Sequence, residues 1–346
     1  MKKMYKKINH VFVASLVLTH MSSCLPDYTK DIENDNPTNP LLISAKTSIN
    51  NIIASNPKCN SIGNFYWVIG DTTGKLIDGS KGNTYNENTR IPIFSASKMV
   101  FGAYVLEKIG GKQNLNDTLE RGLNFTAGYT TPSKEFCEPT DTVKTCFDNN
   151  HASSFSQNNY NNRKFLYTSG HMQSIASLPE LGLSDKTNST LGPAINQVLN
   201  FDSEMFYISS FSFKLLGLPV NTAVGPLLAG GIQTNAKSYG TLLTKIVDGT
   251  LSHFKNALGH QSVYTNNCTG NNCRMYSMGH WVENDFDGAF SSVGAMGFYP
   301  WISQSKNYWG ILARKDDVVA GKDNSLESVE CGQEIRKAFL DIIETN

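Results

Sequence analysis

A serine and a lysine three residues apart, Ser95 and Lys98, begin an apolar stretch that ends at a glycine pair, 110–111. Apolar residues recur at helical spacing over 100–109, and the glycine pair is a C-terminal stop signal. Residues three apart in a helix share a face, so the two side chains can hydrogen-bond. A serine hydroxyl becomes a good nucleophile when a base takes its proton, and a desolvated lysine is such a base. The spacing therefore predicts a nucleophilic serine at a helix N-terminus, which favours the negative charge that develops on attack.

The same Ser-x-x-Lys spacing occurs twice more, at 252–255 and at 303–306. The first copy lies in a polar stretch, and the second lies between two strand-like runs, as is typical of a turn. Only the Ser95 copy begins a long apolar helix directly after an extended Ile-Pro-Ile-Phe run. The alternative for this copy is an ordinary helix N-terminus with an incidental lysine.

The first 24 residues have the pattern of a secretory signal. Four lysines precede a short apolar run over 11–18, which is followed by small residues and Cys24. A membrane-spanning helix needs about 20 apolar residues, so this run is too short to be one. The cysteine directly after small residues resembles the cleavage site of a bacterial lipoprotein. We expect cleavage after residue 23, a lipid on Cys24 and a tether over 24–45; the alternative is an ordinary signal peptide with Cys24 as a bystander.

The charge balance argues against nucleic acid as a partner. The chain has 30 basic and 30 acidic residues, and removal of residues 1–23 lowers the basic count to 26. A slightly acidic mature protein has no electrostatic reason to bind a phosphate backbone. We expect a periplasmic or cell-surface protein whose contact with a bacterial membrane is its N-terminal lipid anchor only.

Strand and helix patterns at the two ends of the chain predict one antiparallel sheet built from both termini. Near the start, a helix over 43–55 precedes a β-hairpin over 65–78 with a glycine turn. Near the end, two strand-like runs over 294–302 and 308–313 precede a helix over 327–343. Helices packed on such a sheet bury its apolar face, so we expect an α/β fold of the α+β type.

The middle of the chain predicts a second, mostly helical lobe, including a helix over 236–247 capped by Thr234 or Asn235. We therefore predict one folded domain over 46–346. Its α/β lobe consists of residues 46–109 and 280–346, and its helical lobe consists of residues 110–279.

Six cysteines follow Cys24, and an exported protein passes an oxidising compartment in which they can pair. Two pairs are close in sequence, one at the ends of a polar insert and one closing an Asn-Gly-rich loop. The remaining two lie before the first strand and at the start of the last helix, which are neighbours in the predicted sheet. We therefore predict three disulfides, Cys137–Cys146, Cys268–Cys273 and Cys59–Cys331.

Three further motifs follow the Ser95 segment, namely Tyr167-Thr-Ser169, Ala229-Gly-Gly-Ile-Gln-Thr and Ser292-Val293-Gly294. Together with Ser95-Ala-Ser-Lys98, they resemble in type and order the motifs of the serine β-lactamase-like superfamily. The resemblance is strongest to class C β-lactamases and their esterase and penicillin-binding-protein relatives, and it covers about residues 46–346. Two positions depart from the family pattern. Ser169 stands where the family has asparagine, and of the third motif, Lys-Thr-Gly or His-x-Gly, only Gly294 is kept.

The resemblance implies a β-lactamase/transpeptidase-like fold and acylation of Ser95, with Lys98 and Tyr167 sharing the general-base work. A tyrosine at its ordinary pKa is a poor base at neutral pH, so it needs the positive charge of the adjacent lysine. The resemblance also implies that Ser169 positions Lys98 or the substrate. The backbone N–H groups of Ser95 and Ala295 would hold the oxyanion.

Other chemistries have less support in the sequence. No His-Glu-x-x-His pattern or Cys/His cluster predicts a metal site, and we expect no cofactor. No Gly-x-Ser-x-Gly is present and the histidines are scattered, so a Ser-His-Asp triad has only a minor claim. His171 is close in sequence to Tyr167 and is the one histidine that could take part in the chemistry. The alternative is a packing or lining role.

We expect a small-molecule ester or amide as substrate, with small esters preferred over β-lactams and peptides. Penicillins and D-alanyl peptides carry a carboxylate that the third-motif lysine of the family helps to receive. Here residues 287–299 contain no cation, and the nearby charges are the acidic Glu283, Asp285 and Asp287, which would repel an anionic substrate if they face the pocket. Four aromatic residues around this segment would line an apolar pocket or belong to the core: Tyr276, Trp281, Phe298 and Trp301.

Two alternatives to an esterase stay open. One is a β-lactamase or DD-peptidase, in which a distant arginine or lysine replaces the missing cation. The other is a non-hydrolytic penicillin-binding or sensor protein on the same fold. The loss of the third-motif lysine and of the asparagine partner keeps this second alternative open.

Overall fold

Strands from opposite ends of the chain meet in one antiparallel sheet of the computed structural model. The structure describes residues 39–132, 134–200, 206–207, 210–215, 218–265, 273–317 and 322–344. The large sheet has eight strands in the order β2-β1-β13-β12-β11-β10-β9-β8. Its strands are β1 Phe65–Asp71, β2 Gly74–Lys81, β8 Val263–Tyr264, β9 Met275–Ser277, β10 His280–Val282, β11 Phe290–Ser291, β12 Tyr299–Ile302 and β13 Trp309–Ala313.

Two smaller antiparallel sheets lie elsewhere in the described chain. One has the order β3-β7-β4, and the other is the pair β5-β6. Their strands are β3 Ile91–Pro92, β4 Phe206–Tyr207, β5 Ser210–Leu215, β6 Leu218–Ala223 and β7 Ile232–Thr234. Strand β3 of the three-stranded sheet ends directly before the Ser95 segment, so the pairing of β3 with β7 positions the start of that segment.

Helices cover both faces of the large sheet. They are α1 Pro40–Ser55, α2 Pro57–Asn60, α3 Ser97–Ile109, α4 Asp117–Leu123, α5 Val143–Cys146, α6 Gln157–Asn161, α7 Gly170–Ala176, α8 Asn188–Leu199, α9 Ala236–Val247, α10 Ser252–Ala257 and α11 Asn324–Ile343. Side chains alternate along a strand, so β1 faces two cores. Phe65, Trp67 and Ile69 pack with residues of α1 and α11. Tyr66 and Val68 pack on the opposite face, in the same core as α3 and α9.

The predicted α/β fold with an antiparallel sheet from both termini is confirmed. The hairpin β1–β2, the strands β12 and β13 and the helix α9 occur where the sequence predicted them, with Asn235 as the cap of α9. Two helices begin three residues earlier than predicted, because Asn39 and Asp323 accept hydrogen bonds from the first-turn N–H groups of α1 and α11.

The sheet is wider than predicted, because β8 and β9 lie within residues 110–279, which the sequence analysis assigned to the helical lobe. These strands have only two or three residues each, which is too short for an alternating pattern to identify them. Residues 294–297 also form a turn before β12 and not the start of a strand. The lobe boundaries themselves stay a prediction.

Two of the predicted disulfides are present. Cys59 pairs with Cys331 across the two ends of the chain, and Cys137 pairs with Cys146. Cys24 and one partner of the predicted Cys268–Cys273 bridge lie outside the described residues. Among the described helices, none combines the length and the apolar character that a membrane span requires.

Candidate active site

Ser95 lies in a single 3₁₀ turn, Phe94–Ala96, between β3 and α3. The helix thus begins two residues after the serine, whereas the sequence placed Ser95 in the first helical turn. Phe94 has φ 47°, a backbone conformation that bulky residues rarely adopt. Its ring packs edge-on against Phe211 with 4.8 Å between ring centroids. Backbone strain of this kind is concentrated at functional sites, and here it lies one residue before Ser95.

Lys98 lies next to Ser95, as its spacing predicts. Its side-chain nitrogen is 2.8 Å from the Ser95 Oγ and 2.8 Å from the carbonyl oxygen of Ala229. Burial lowers the pKa of Lys98 to about 7, although the charge of Glu135 acts in the opposite direction. A substantial fraction of Lys98 is therefore neutral near pH 7, and a neutral amine at this distance can accept the serine proton.

Close backbone approaches fix the start of α3. A Cβ on Gly279 would lie 2.6 Å from the carbonyl oxygen of Lys98, and a Cβ on Gly102 would lie 2.2 Å from that of Met278. The turn between β9 and β10 therefore packs directly on the helix backbone. On another side, the Tyr239 hydroxyl donates a 2.9 Å hydrogen bond to the carbonyl oxygen of Ala96. The β9–β10 turn of the large sheet and helix α9 thus position the serine and lysine.

The Ala229-Gly-Gly segment supplies the second acceptor of the Lys98 amine. The N–H of Ile93 donates to the carbonyl oxygen of Ile232 at 3.0 Å, and the N–H of Ile232 donates to the Ser97 Oγ at 3.2 Å. These bonds tie the segment to both sides of Ser95. The Ala229-Gly-Gly segment is therefore a structural support of the nucleophile segment.

Tyr167 lies beside Lys98 in an aromatic cluster. The Lys98 nitrogen is 4.7 Å from the centroid of the Tyr167 ring, and the ring stacks on Phe125 and Trp281 with centroid distances of 5.3 and 5.1 Å. Burial in this cluster raises the pKa of Tyr167 to about 12, and hydrogen bonds with Ser95 and Trp281 oppose this only partly. We expected the lysine charge to make Tyr167 a better base; in the structure its pKa moves the other way. Tyr167 is a protonated phenol at neutral pH.

The Ser169 hydroxyl donates a 2.5 Å hydrogen bond to the Glu135 carboxylate, and among the described residues no hydrogen bond joins Ser169 to Lys98. Glu135 is the site residue that the sequence analysis missed. It lies 34 residues before Ser169 in a polar stretch without periodicity, and its charge raises the pKa of Lys98. The one sequence feature that could have pointed to Glu135 is its position two residues before Cys137, whose disulfide with Cys146 ties this stretch to α5.

The Ser292-Val293-Gly294 segment lies against the other side of Ser95. The Ser292 hydroxyl donates a 3.0 Å hydrogen bond to the Ser95 carbonyl oxygen. A Cβ on Gly294 would lie 2.2 Å from the carbonyl oxygen of Ile93, so only glycine fits there. Val293 is half-buried, and the exposed Ala295 begins the turn that follows. The N–H of Ala295 has no acceptor within the described part of the chain, so it is available to an oxyanion.

The charges around the third motif are engaged in internal ion pairs. Arg314 lies behind the turn at Gly297, fully buried, and pairs with Asp316 and Glu327. It therefore does not replace the family's missing lysine. The three acids that would repel an anionic substrate if they faced the pocket each have an internal partner: Glu283 and Asp287 pair with Arg336, and Asp285 pairs with Arg274.

Of the four aromatic residues near this segment, only Trp281 is partly exposed, and it stacks on Tyr167. Tyr276 is fully buried beside Tyr167, and Phe298 and Trp301 belong to the core. The predicted apolar lining is therefore reduced to Trp281 and the exposed part of Tyr167.

His171, the histidine close in sequence to Tyr167, has a structural role. His171 is fully buried, accepts a 3.1 Å hydrogen bond from the N–H of Ala127, and has its pKa lowered to about 3 by burial. It is a packing residue.

Cys137, Cys146 and His151 place three potential metal ligands within 4.8 Å of one another. The two sulfur atoms form the disulfide, so in this oxidised form only the imidazole remains as a ligand.

No protein-family model matches the chain, and no curated protein matches it. Similarity to solved structures is clear. EstCE1, a hydrolase with promiscuous acyltransferase activity, is 11% identical with a TM-score of 0.58 and covers 86% of this chain and 99% of its own. A D-amino acid amidase from Ochrobactrum anthropi in complex with D-phenylalanine is 8% identical with a TM-score of 0.59, covering 86% and 99%. A β-lactamase from Mycobacterium bovis is 9% identical with a TM-score of 0.51, covering 85% and 98%.

These structures contain enzymes with different substrates, and at such low identity they establish architecture and not activity. The eight-stranded antiparallel sheet flanked by helices agrees with their architecture over more than four fifths of the chain. The chain has the fold of the serine β-lactamase-like superfamily.

Proposed function

We propose that the protein is a serine hydrolase that forms an acyl-enzyme on Ser95 and acts on small esters. One observation supports this most: the 2.8 Å contact between the Ser95 hydroxyl and a lysine whose pKa burial lowers to about 7. A nucleophile within hydrogen-bond reach of a base of matched pKa is the arrangement that covalent catalysis requires.

In the first half-reaction, the Ser95 Oγ attacks the ester carbonyl carbon while its proton passes to the neutral Lys98 amine. The negative charge on the carbonyl oxygen is received by the N–H groups of Ser95 and Ala295. The bond to the alcohol oxygen then breaks, and the proton from Lys98 goes to the leaving alcohol. Tyr167, as a protonated phenol beside both groups, donates a hydrogen bond during this transfer. Water attacks the acyl-enzyme by the reverse of these proton movements.

The preference for esters over β-lactams follows from the missing cation. Ser292 and Val293 stand where a charge-assisted hydrogen bond would receive the carboxylate of a β-lactam or peptide, and the nearby Arg314 is buried and paired. One such hydrogen bond contributes about 1.5–3 kcal/mol, or roughly one to two orders of magnitude in rate. An ester without a carboxylate does not lose this interaction.

Labelling with a fluorophosphonate probe tests the nucleophile. Wild type should be labelled and Ser95→Ala should not, whereas Ser252→Ala, an exposed serine with the same Ser-x-x-Lys spacing, should be labelled like wild type. Turnover of p-nitrophenyl butyrate and nitrocefin then tests the substrate class. Rapid nitrocefin turnover with negligible ester cleavage would make the protein a β-lactamase, and slow, stable acylation by penicillin would make it a sensor.

We further propose that the protein is exported and held to a bacterial membrane by a lipid on Cys24. The two disulfides support a route through an oxidising compartment. Firm anchoring needs more than one acyl chain. Intact mass of the membrane fraction tests this, because the mature chain should begin at Cys24 and carry added lipid mass; a start elsewhere without that mass would exclude it.

A further inference from the structure

Glu135 is a half-buried carboxylate that interacts with two residues of the proposed active site. It accepts a 2.5 Å hydrogen bond from Ser169, which lies two residues after Tyr167, and it interacts electrostatically with Lys98. No cation, Lys98 included, forms an ion pair with Glu135 in the part of the chain that the structure describes. A carboxylate that loses water molecules on burial normally accepts hydrogen bonds from more than one donor in their place. Its remaining lone pairs are therefore available to a ligand.

The main chain around Glu135 is held in place. Two residues later, Cys137 is bonded to Cys146, and its N–H donates to the carbonyl oxygen of Val224 at 3.1 Å. The side-chain amide of Asn150 donates a 2.7 Å hydrogen bond to the carbonyl oxygen of Phe136. Ser169 fixes the carboxylate itself. The charge is thus presented by an anchored segment and not by a freely moving side chain.

The charge balance of the site changes when it becomes reactive. Lys98 can accept the Ser95 proton only in its neutral form, and in that form it no longer compensates Glu135. The third motif supplies no cation, and Arg314 is engaged with Asp316 and Glu327. With Lys98 neutral, Glu135 therefore has no compensating ion-pair partner among the described residues. A positive group on the substrate would restore the balance, whereas a second carboxylate would be repelled.

We propose that Glu135 binds an ammonium group of the substrate, so that the preferred substrates are esters of amino-bearing acids or alcohols. The inference rests on the proposed esterase function and narrows it to a substrate class. A primary ammonium would donate a charge-assisted hydrogen bond to the carboxylate, and a quaternary ammonium would be attracted to it by charge alone. The cation can belong to the acyl part or to the alcohol part, and the test below distinguishes the two.

Two pairs of esters differ only in the charged group. Alanine methyl ester and methyl 2-methylpropanoate place an ammonium or a methyl group on the acyl part. Butyrylcholine and 3,3-dimethylbutyl butyrate place a quaternary ammonium or a neutral tert-butyl group on the alcohol part. We expect wild type to prefer the cationic member of at least one pair by about 10- to 100-fold in kcat/KM. The pair that shows the preference identifies the side on which the cation lies.

Glu135→Gln should remove this preference. The ratio within a pair is compared in the same protein, so it cancels any effect of the variant on Lys98 that both esters share. Glu138→Gln is the matched control, since Glu138 lies in the same loop, is exposed and already pairs with Lys134; it should keep the wild-type ratio. Equal rates within both pairs in wild type, or a preference that persists in Glu135→Gln, would overturn the inference alone. If all four esters remain intact, the proposed function fails and the inference fails with it.

Discussion

The side-chain nitrogen of Lys98 lies 2.8 Å from the hydroxyl oxygen of Ser95, in a setting that lowers the lysine pKa to about 7. Only the neutral amine accepts a proton, so acylation should be slow while Lys98 is protonated. The rate of fluorophosphonate labelling should therefore rise about tenfold per pH unit below pH ~7 and become level above it. A labelling rate that does not change between about pH 5 and 9 would show that Lys98 is not the base.

Substitution of the lysine gives a second test of the same contact. Lys98→Met keeps most of the buried volume and removes the base, so kcat/KM for esters should fall by about 10²–10⁴-fold. Lys255→Met is the matched control, because Lys255 is the half-buried lysine of the Ser-x-x-Lys copy at 252–255. This control should stay within a few-fold of wild type. Comparable losses in both variants would indicate a general effect on folding, which circular dichroism would detect.

Tyr167 should act as a hydrogen-bond donor and not as a phenolate base, because burial raises its pKa to about 12. Tyr167→Phe removes the hydroxyl but keeps the ring between Phe125 and Trp281. We expect about a tenfold lower kcat/KM, the size of one lost hydrogen bond, and the same pH dependence as wild type. A loss as large as that of Lys98→Met, with an altered pH profile, would instead make Tyr167 the base.

The parts of the site that sequence could predict are those with local signals. Ser95 and Lys98 are three residues apart, and Asn235 caps the helix that it directly precedes. Glu135 could not be predicted in this way, because its place depends on a disulfide and on a partner 34 residues later.

The ion pairs of the acidic residues could not be predicted either, because they also depend on partners distant in sequence. Glu283 and Asp287 are close in sequence to the third motif, which suggested that they face the pocket. Their partner is Arg336, which lies 53 and 49 residues later on α11. Short strands such as β8 and β9 depend likewise on pairing with a neighbour and have little pattern of their own.

The disulfide Cys59–Cys331 should contribute strongly to stability, because it joins residues 272 positions apart. Closing so long a loop in the unfolded chain is worth about 5–6 kcal/mol in the chain-entropy treatment, less any strain. The double variant Cys59→Ala/Cys331→Ala should lose about this free energy of unfolding in urea titrations under non-reducing conditions. Both side chains are buried, so part of the loss is packing. An unchanged midpoint would show that the bridge does not constrain the unfolded chain.

Gly294 should be required for activity because of its contact with the strand that leads to Ser95. A Cβ at this position would lie 2.2 Å from the carbonyl oxygen of Ile93, so Gly294→Ala must move the turn that carries Ala295 away from the serine. That movement separates the two N–H groups proposed to hold the oxyanion, and loss of one such donor costs about 10²–10³-fold in kcat. Gly63→Ala is the matched control, since the atom nearest to its Cβ would be 3.8 Å away. The two variants should differ by at least tenfold in ester turnover at comparable thermal stability; equal turnover would place the oxyanion elsewhere.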